Sequence, residues 1–115
     1  MSSLRKIYKG NNGTVEWPFN DNEGNPLNLD QMVTVTAQVI QKDRVVETYV
    51  MADGTEFRRK DVASDTVVFE YTTALTNTLA KMVTALRVTI VGPEIYLVVD
   101  DNRIWTKQED IFEVV

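Results

Sequence analysis

A chain of 115 residues, 43% hydrophobic and 25% charged, is long enough to bury one core and carries no low-complexity or charge-block tract. Its 12 basic and 17 acidic residues leave a formal charge of −5, which opposes nonspecific attraction to nucleic acid or anionic lipid. With no cysteine and no histidine, disulfide frameworks, thiolate metal sites, cysteine nucleophiles and Ser/His/Asp catalysis are excluded, together with the commonest general base near neutral pH.

Residues 1–10 hold charges but no apolar stretch of signal-peptide length, and no apolar run approaches a membrane span, so neither secretion nor a membrane is expected. Residues 5–8 read as a short edge strand or an arm. Gly10, Asn11, Asn12 and Gly13 form a turn signal, and residues 14–19 resume as a strand with Val15, Trp17 and Phe19 on one face. Pro18 has no amide donor, which places this strand at an edge or a bulge. The glycosylation sequon Asn12-Gly13-Thr14 reads as a chance match in a chain with no secretory signal. Residues 20–31 form a polar connection whose Asp21, Asn22, Glu23, Gly24 and Asn25 invite a calcium reading. Counting back from Gly24 puts Phe19 at the first ligand position, so the EF-hand spacing fails and a tight turn is expected, with Leu27 and Leu29 plugging one end of the core.

Residues 33–51 carry the clearest pattern. Val33, Val35, Ala37 and Val39 alternate with Thr34, Thr36 and Gln38, a polar break follows at Gln41, Lys42, Asp43 and Arg44, and residues 45–51 are β-branched and aromatic, which predicts an antiparallel hairpin. Ala52, Asp53 and Gly54 turn the chain, and residues 56–59 are expected to pair back beside residues 49–51. Arg58, Arg59 and Lys60 form the one basic run and read as a solvated loop or strand end, because phosphate binding recruits dispersed cations. After a break at residues 61–65, residues 66–71 alternate with Val67, Phe69 and Tyr71 toward the core. Leu75, Leu79, Met82 and Val83 then change the period and predict a short helix over residues 73–83, capped by Thr72 or Thr73 and weakened by Thr76 and Thr78. Leu86, Val88 and Ile90 return to strand spacing, Gly92 and Pro93 turn the chain, and residues 95–99 are expected to pair back. Asp100, Asp101 and Asn102 read as a solvated turn into residues 103–105, since neighbouring carboxylates on a strand point to opposite sides. Residues 106–110 read as a connection and residues 111–115 as a final strand.

The predicted fold is mainly β: one domain over residues 1–115, an antiparallel sandwich with one short helix near residues 73–82 and residues 1–8 as a candidate N-terminal arm. The run Tyr8 to Phe19, then Gly24, Pro26 and Leu29 ahead of the long alternating strand, and the closing Arg103-Ile104-Trp105-Thr106 and Ile111-Phe112-Glu113-Val114, resemble the immunoglobulin-like domains of phage baseplate and tail structural proteins, such as the N-terminal domain of the baseplate upper protein. The chain departs from that pattern at Asn11, where an acidic residue is usual, and in the helical segment after Tyr71. The resemblance implies an immunoglobulin-like sandwich and a structural role in a virion, reached from the host cytoplasm. It transfers no catalytic residue, metal or cofactor.

On that reading the partners are other virion structural proteins and further copies of the chain in a symmetric assembly, with no nucleic acid and no membrane. Docking would use sheet edges and loops, where edge pairing supplies main-chain hydrogen bonds. The contact candidates are Leu4, Ile7 and Tyr8 in the arm and Ile111, Phe112 and Val114 at the end, and removal of residues 1–8 is expected to leave a folded domain that no longer assembles. A second reading is a carbohydrate- or receptor-binding sandwich that stacks Trp17, Trp105, Tyr49 or Tyr96 on a sugar. An enzyme would have to work with carboxylates alone, and Glu56 and Glu70 cannot be paired from sequence.

Overall fold

The period-two stretches become strands of two sheets in a computed structural model that describes residues 4–20, 24–60, 63–93 and 103–115. In chain order the strands are β1 (Lys6–Ile7), β2 (Gly13–Pro18), β3 (Thr34–Gln41), β4 (Arg44–Val50), β5 (Phe57–Lys60), β6 (Ala63–Tyr71), β7 (Val83–Gly92) and β8 (Arg103–Val114). A 3-10 turn at Leu29–Gln31 precedes β3, and helix α1 (Thr73–Thr78) joins β6 to β7. The larger sheet runs β1-β8-β7-β3-β4 and the smaller β2-β6-β5. Pairing is antiparallel throughout except between β1 and β8, which are parallel. The fold is therefore mainly β, a two-sheet sandwich with one short helix.

Alternation decides what each sheet buries. Val35, Ala37 and Val39 of β3 and Leu86, Val88 and Ile90 of β7 share one core with Val67, Phe69 and Tyr71 of β6. Trp17, Phe19, Leu27 and Leu29 join that core, as expected of them. Each such side chain contributes roughly 1.5–3 kcal/mol by leaving water, which makes the apolar face the main source of stability. Pro18 lies on β2, an edge strand, where its missing amide costs no ladder bond. The β3–β4 hairpin closes through Lys42 and Asp43, both left-handed at φ 55° and 61°, the backbone pair that matches the twist of a two-residue hairpin.

Threonine hydroxyls hold the connections. The Thr72 hydroxyl caps α1 by accepting from the Leu75 amide at 3.1 Å. Inside the helix the Thr76 hydroxyl, fully buried, donates to the Asn11 carbonyl at 2.8 Å and accepts from the Gly10 amide at 3.0 Å, while Thr73 donates to the Gly10 carbonyl at 2.9 Å. Thr76, one of the two threonines that weaken this helix, thus fastens the β1–β2 loop to it together with Thr73. Close approach also explains Gly13, where a Cβ would overlap the Tyr71 hydroxyl and ring.

Several expectations are corrected. Residues 57–60 do not pair beside β4: one bond, from the Ala52 amide to the Phe57 carbonyl at 3.0 Å, spans the turn, and β5 then crosses to the smaller sheet against β6. The helix stops at Thr78. Leu79 remains in the core, but Met82 is half-buried and Val83 is exposed and opens β7. Residues 106–110 are not a connection but the middle of β8, which pairs with β7 from Gly92↔Arg103 to Val83↔Glu113. A bulge opposite Thr84 and Ala85 leaves Ile111 as an extra residue and switches the face of β8. Ile104, Thr106, Gln108 and Asp110 point outward before it, and Phe112 and Val114 point inward after it. The strand expected over residues 95–99 and the turn at residues 100–102 lie outside the described residues, and β7 is flanked by β3 and β8. Gln41, read as part of a polar break, is buried. Its amide nitrogen donates to the Ala80 carbonyl at 3.0 Å and to the Thr84 hydroxyl at 2.9 Å, and its oxygen accepts from the Ala80 amide at 3.1 Å.

Candidate functional site

A sheet acts on partners through its edges, where main-chain donors and acceptors lack a neighbouring strand. Among the described residues this sandwich has four, and three are short, proline-bearing or covered by charge. At one side of the larger sheet the N-terminal arm lies on β8: the Glu113 amide donates to the Arg5 carbonyl at 2.8 Å and the Val115 amide to the Ile7 carbonyl at 2.9 Å. Ile7 enters the core, the Arg5 guanidinium donates to the Tyr71 hydroxyl at 3.0 Å, and the strand so formed is only two residues long. In the smaller sheet β2 carries Pro18. There β5 is four residues long, bulged between Arg59 and Lys60, and charged.

The fourth edge is β4. It runs seven residues with no proline, every position exposed except the half-buried Tyr49, with a bulge at Val46 opposite Val39 and Ile40, and among the described residues it pairs only with β3. Val45, Val46 and Val50, exposed by 46%, 39% and 68%, are three of the seven large apolar side chains left in solvent among those residues. Two bonds show which way its amides point. The Met51 amide reaches the Val35 carbonyl at 2.9 Å, so by alternation Tyr49 also faces β3. The Thr48 amide is instead accepted by the Glu47 carboxylate at 3.2 Å. Thr48 and Val50 therefore present their N–H and C=O away from the sheet.

Behind this edge lies an open groove of about 350 Å³ between β4 and α1, lined by Glu47, Tyr49, Glu56, Ala74, Leu75 and Thr78 among others. The Tyr49 ring meets Phe69 edge-on, with centroids 5.2 Å apart. Burial, with the Glu47 and Glu56 carboxylates adding to it, pushes the Tyr49 hydroxyl up to about 12, so it remains a hydrogen-bond donor in all ordinary buffers.

The residues singled out from sequence fall in different places. Of the six contact candidates, Tyr8 alone is exposed; Ile7, Phe112 and Val114 are buried in the core and Leu4 and Ile111 are half-buried. The basic run is neutralised one cation at a time, Arg58 by Glu70 at 3.2 Å, Arg59 by Asp30 at 2.9 Å and Lys60 by Glu16 at 3.0 Å. Glu56 and Glu70 do share an open groove, of about 450 Å³, with Arg58 paired to Glu70 inside it. Trp17 is buried with the Lys107 ammonium 4.8 Å from its ring centre, and Trp105 is half-buried against the core, so neither ring lies open for a sugar; Tyr96 is outside the described residues. So are Asp21, Asn22 and Glu23 of the rejected calcium loop. Among the described residues no group of three carboxylates is placed to hold a metal ion, and no helix is long and apolar enough to cross a membrane.

What the residue-by-residue reading missed is the β4 edge itself. Its signal was present, a run of seven residues without glycine or proline of which Val45, Val46, Thr48, Tyr49 and Val50 are strand formers, but whether an edge is covered depends on which strands neighbour it. No family model, curated protein or solved structure matches the chain.

Proposed function

We propose that this chain is a non-enzymatic structural module of a phage virion, an immunoglobulin-like component of the tail, baseplate or an appendage that docks other virion proteins through a sheet edge and the loops beside it. The observation that carries the reading is the β4 edge, seven residues long, valine-rich and uncovered among the described residues, whose other edges are short, proline-bearing or charged. Soluble proteins blunt such edges unless a partner strand occupies them, because an open one templates pairing. The resemblance of the Tyr8 to Leu29 region and of the closing strands to baseplate and tail domains supplies the setting. In it the chain moves from the host cytoplasm into a particle where copies repeat around a symmetry axis. The test is immunogold electron microscopy, with peptide mass spectrometry, on purified particles of the virus or prophage whose genome carries the gene. Label at the tail or baseplate supports the proposal; particles that lack the chain contradict it.

A further inference from the structure

We infer that β4 pairs with β4 of a second copy of this chain, antiparallel about a two-fold axis at Thr48, so that two five-stranded sheets become one of ten. The inference rests on the assembly reading and goes beyond it in naming the edge, the partner and the register.

The strand's own sequence favours self-pairing. An antiparallel pair of identical strands is isologous, so each residue meets the one mirrored across the axis. Full overlap of Arg44–Val50 would put the axis at Glu47 and set two carboxylates against each other, which is destabilising. Moving the axis one residue, to Thr48, removes that conflict. Thr48 then faces Thr48, Val46 faces Val50, and Glu47 faces Tyr49. The backbone agrees at the axis, because Thr48 and Val50 point their amides and carbonyls away from β3, while a bulge opposite Val39 and Ile40, with Val46 as its extra residue, ends the regular ladder on the other side. In this register the two Thr48 residues form the closely bonded pair, and Glu47 and Tyr49 of opposite copies fall at the positions beside it, where side chains come nearest.

The two side chains there are matched. Glu47 is an acceptor already turned toward the strand's own edge, where it holds the Thr48 amide. Tyr49 is a donor, its ring fixed against Phe69 on the same face of the sheet. On pairing, the Thr48 amide exchanges the Glu47 carboxylate for a carbonyl of the second copy, and each released carboxylate accepts from the Tyr49 hydroxyl across the axis. Val46 and Val50, exposed in the single chain, cover each other.

The experiment is sedimentation equilibrium over a concentration series reaching hundreds of micromolar, on the full chain and on Thr48→Pro. Proline at this position sacrifices no bond to β3 and removes the central intermolecular donor. The expected result is a monomer–dimer equilibrium for the natural chain and a monomer at every concentration for the variant. Should Thr48→Pro lose its fold by circular dichroism, Thr48→Lys serves, since it opposes two ammonium groups at the axis and leaves the single chain's exposed surface otherwise intact. Register is tested in a chain that has no cysteine of its own. Mild oxidation should join Thr48→Cys into a disulfide dimer, as Cα atoms about 5.5 Å apart permit, and leave Arg44→Cys unjoined. A natural chain that stays monomeric throughout overturns the inference. So does association that persists undiminished in both Thr48→Pro and Thr48→Lys, although that outcome leaves the assembly reading standing. A Thr48-dependent dimer in a chain absent from particles would sink the assembly reading alone.

Discussion

The two sides of the five-stranded sheet end in opposite ways. At the β8 side the chain returns more than a hundred residues along the sequence to lay Lys6 and Ile7 beside Glu113 and Val114, and it anchors that arm with a buried isoleucine and a bond from Arg5 to Tyr71. At the β4 side the described chain provides no cover, and three valines stand in solvent. Parallel pairing of a two-residue strand is a poor local bargain, since closing so long a loop is entropically costly for few bonds. Its presence on one side and absence on the other mark the β8 side as structural and the β4 side as available. The difference also adds to the role of the arm, because Ile7, Phe112 and Val114, offered as partner contacts, are buried in the chain's own core, while Tyr8 stands exposed.

The comparison can be broken most forcefully from the closed side. A variant lacking residues 1–8 uncovers Phe112 and Val114, loses the Ile7 side chain and strips the bonds to Glu113 and Val115. Removal of the isoleucine alone is worth about 2–5 kcal/mol, so the urea midpoint should fall steeply. A midpoint within error of the natural chain's would show that the arm is not structural. Gly13→Ala presses a methyl onto the Tyr71 ring that receives Arg5 and should cost about 1–3 kcal/mol in the same assay, and no loss would mean that the ring moves freely.

The open side predicts smaller effects. Replacing Lys42-Asp43 by Asn-Gly supplies residues that accept positive φ and should raise stability by about 1 kcal/mol without altering association at Thr48; a destabilised variant would argue against the left-handed turn. The smallest effect concerns Tyr49. Its hydroxyl ionises near pH 10 in the unfolded chain and near 12 in the folded one, so the folded state holds the proton more tightly. The stability this brings is complete below pH 10 and disappears as pH rises from 10 toward 12, screened by the solvent that reaches the groove. Ultraviolet titration should show a phenolate forming late, and Tyr49→Phe should remove that late step; an unchanged titration in Tyr49→Phe would contradict it.

Much of the sandwich was legible because a half-buried strand writes its burial at period two. Val35, Ala37 and Val39, Val67, Phe69 and Tyr71, and Leu86, Val88 and Ile90 were each read to the correct face. The failures have physical causes. One extra residue at Ile111 reverses the phase of β8, so a strand with polar residues outward before the bulge and apolar residues inward after it resembles a loop followed by a separate strand. Gln41 looks like a turn residue because its three bonds go to Ala80 and Thr84, some forty residues away. Thr76 lowers helix propensity locally and compensates, with Thr73, through bonds to Gly10 and Asn11. The site was the least legible part. Ile7, Phe112 and Val114 are apolar for the core's sake, and openness at β4 is a property of strand order, which no local pattern records.

Residue-resolved amide hydrogen exchange compares the two edges in one sample. In dilute solution Glu113 and Val115, bonded to the arm, should exchange slowly while Thr48 and Val50 exchange fast; in concentrated solution Thr48 and Val50 should slow and Glu113 and Val115 stay as they were. Fast exchange at Glu113 and Val115, or rates at Thr48 and Val50 that ignore concentration, would contradict an edge closed by its own chain on one side and reserved for a second copy on the other.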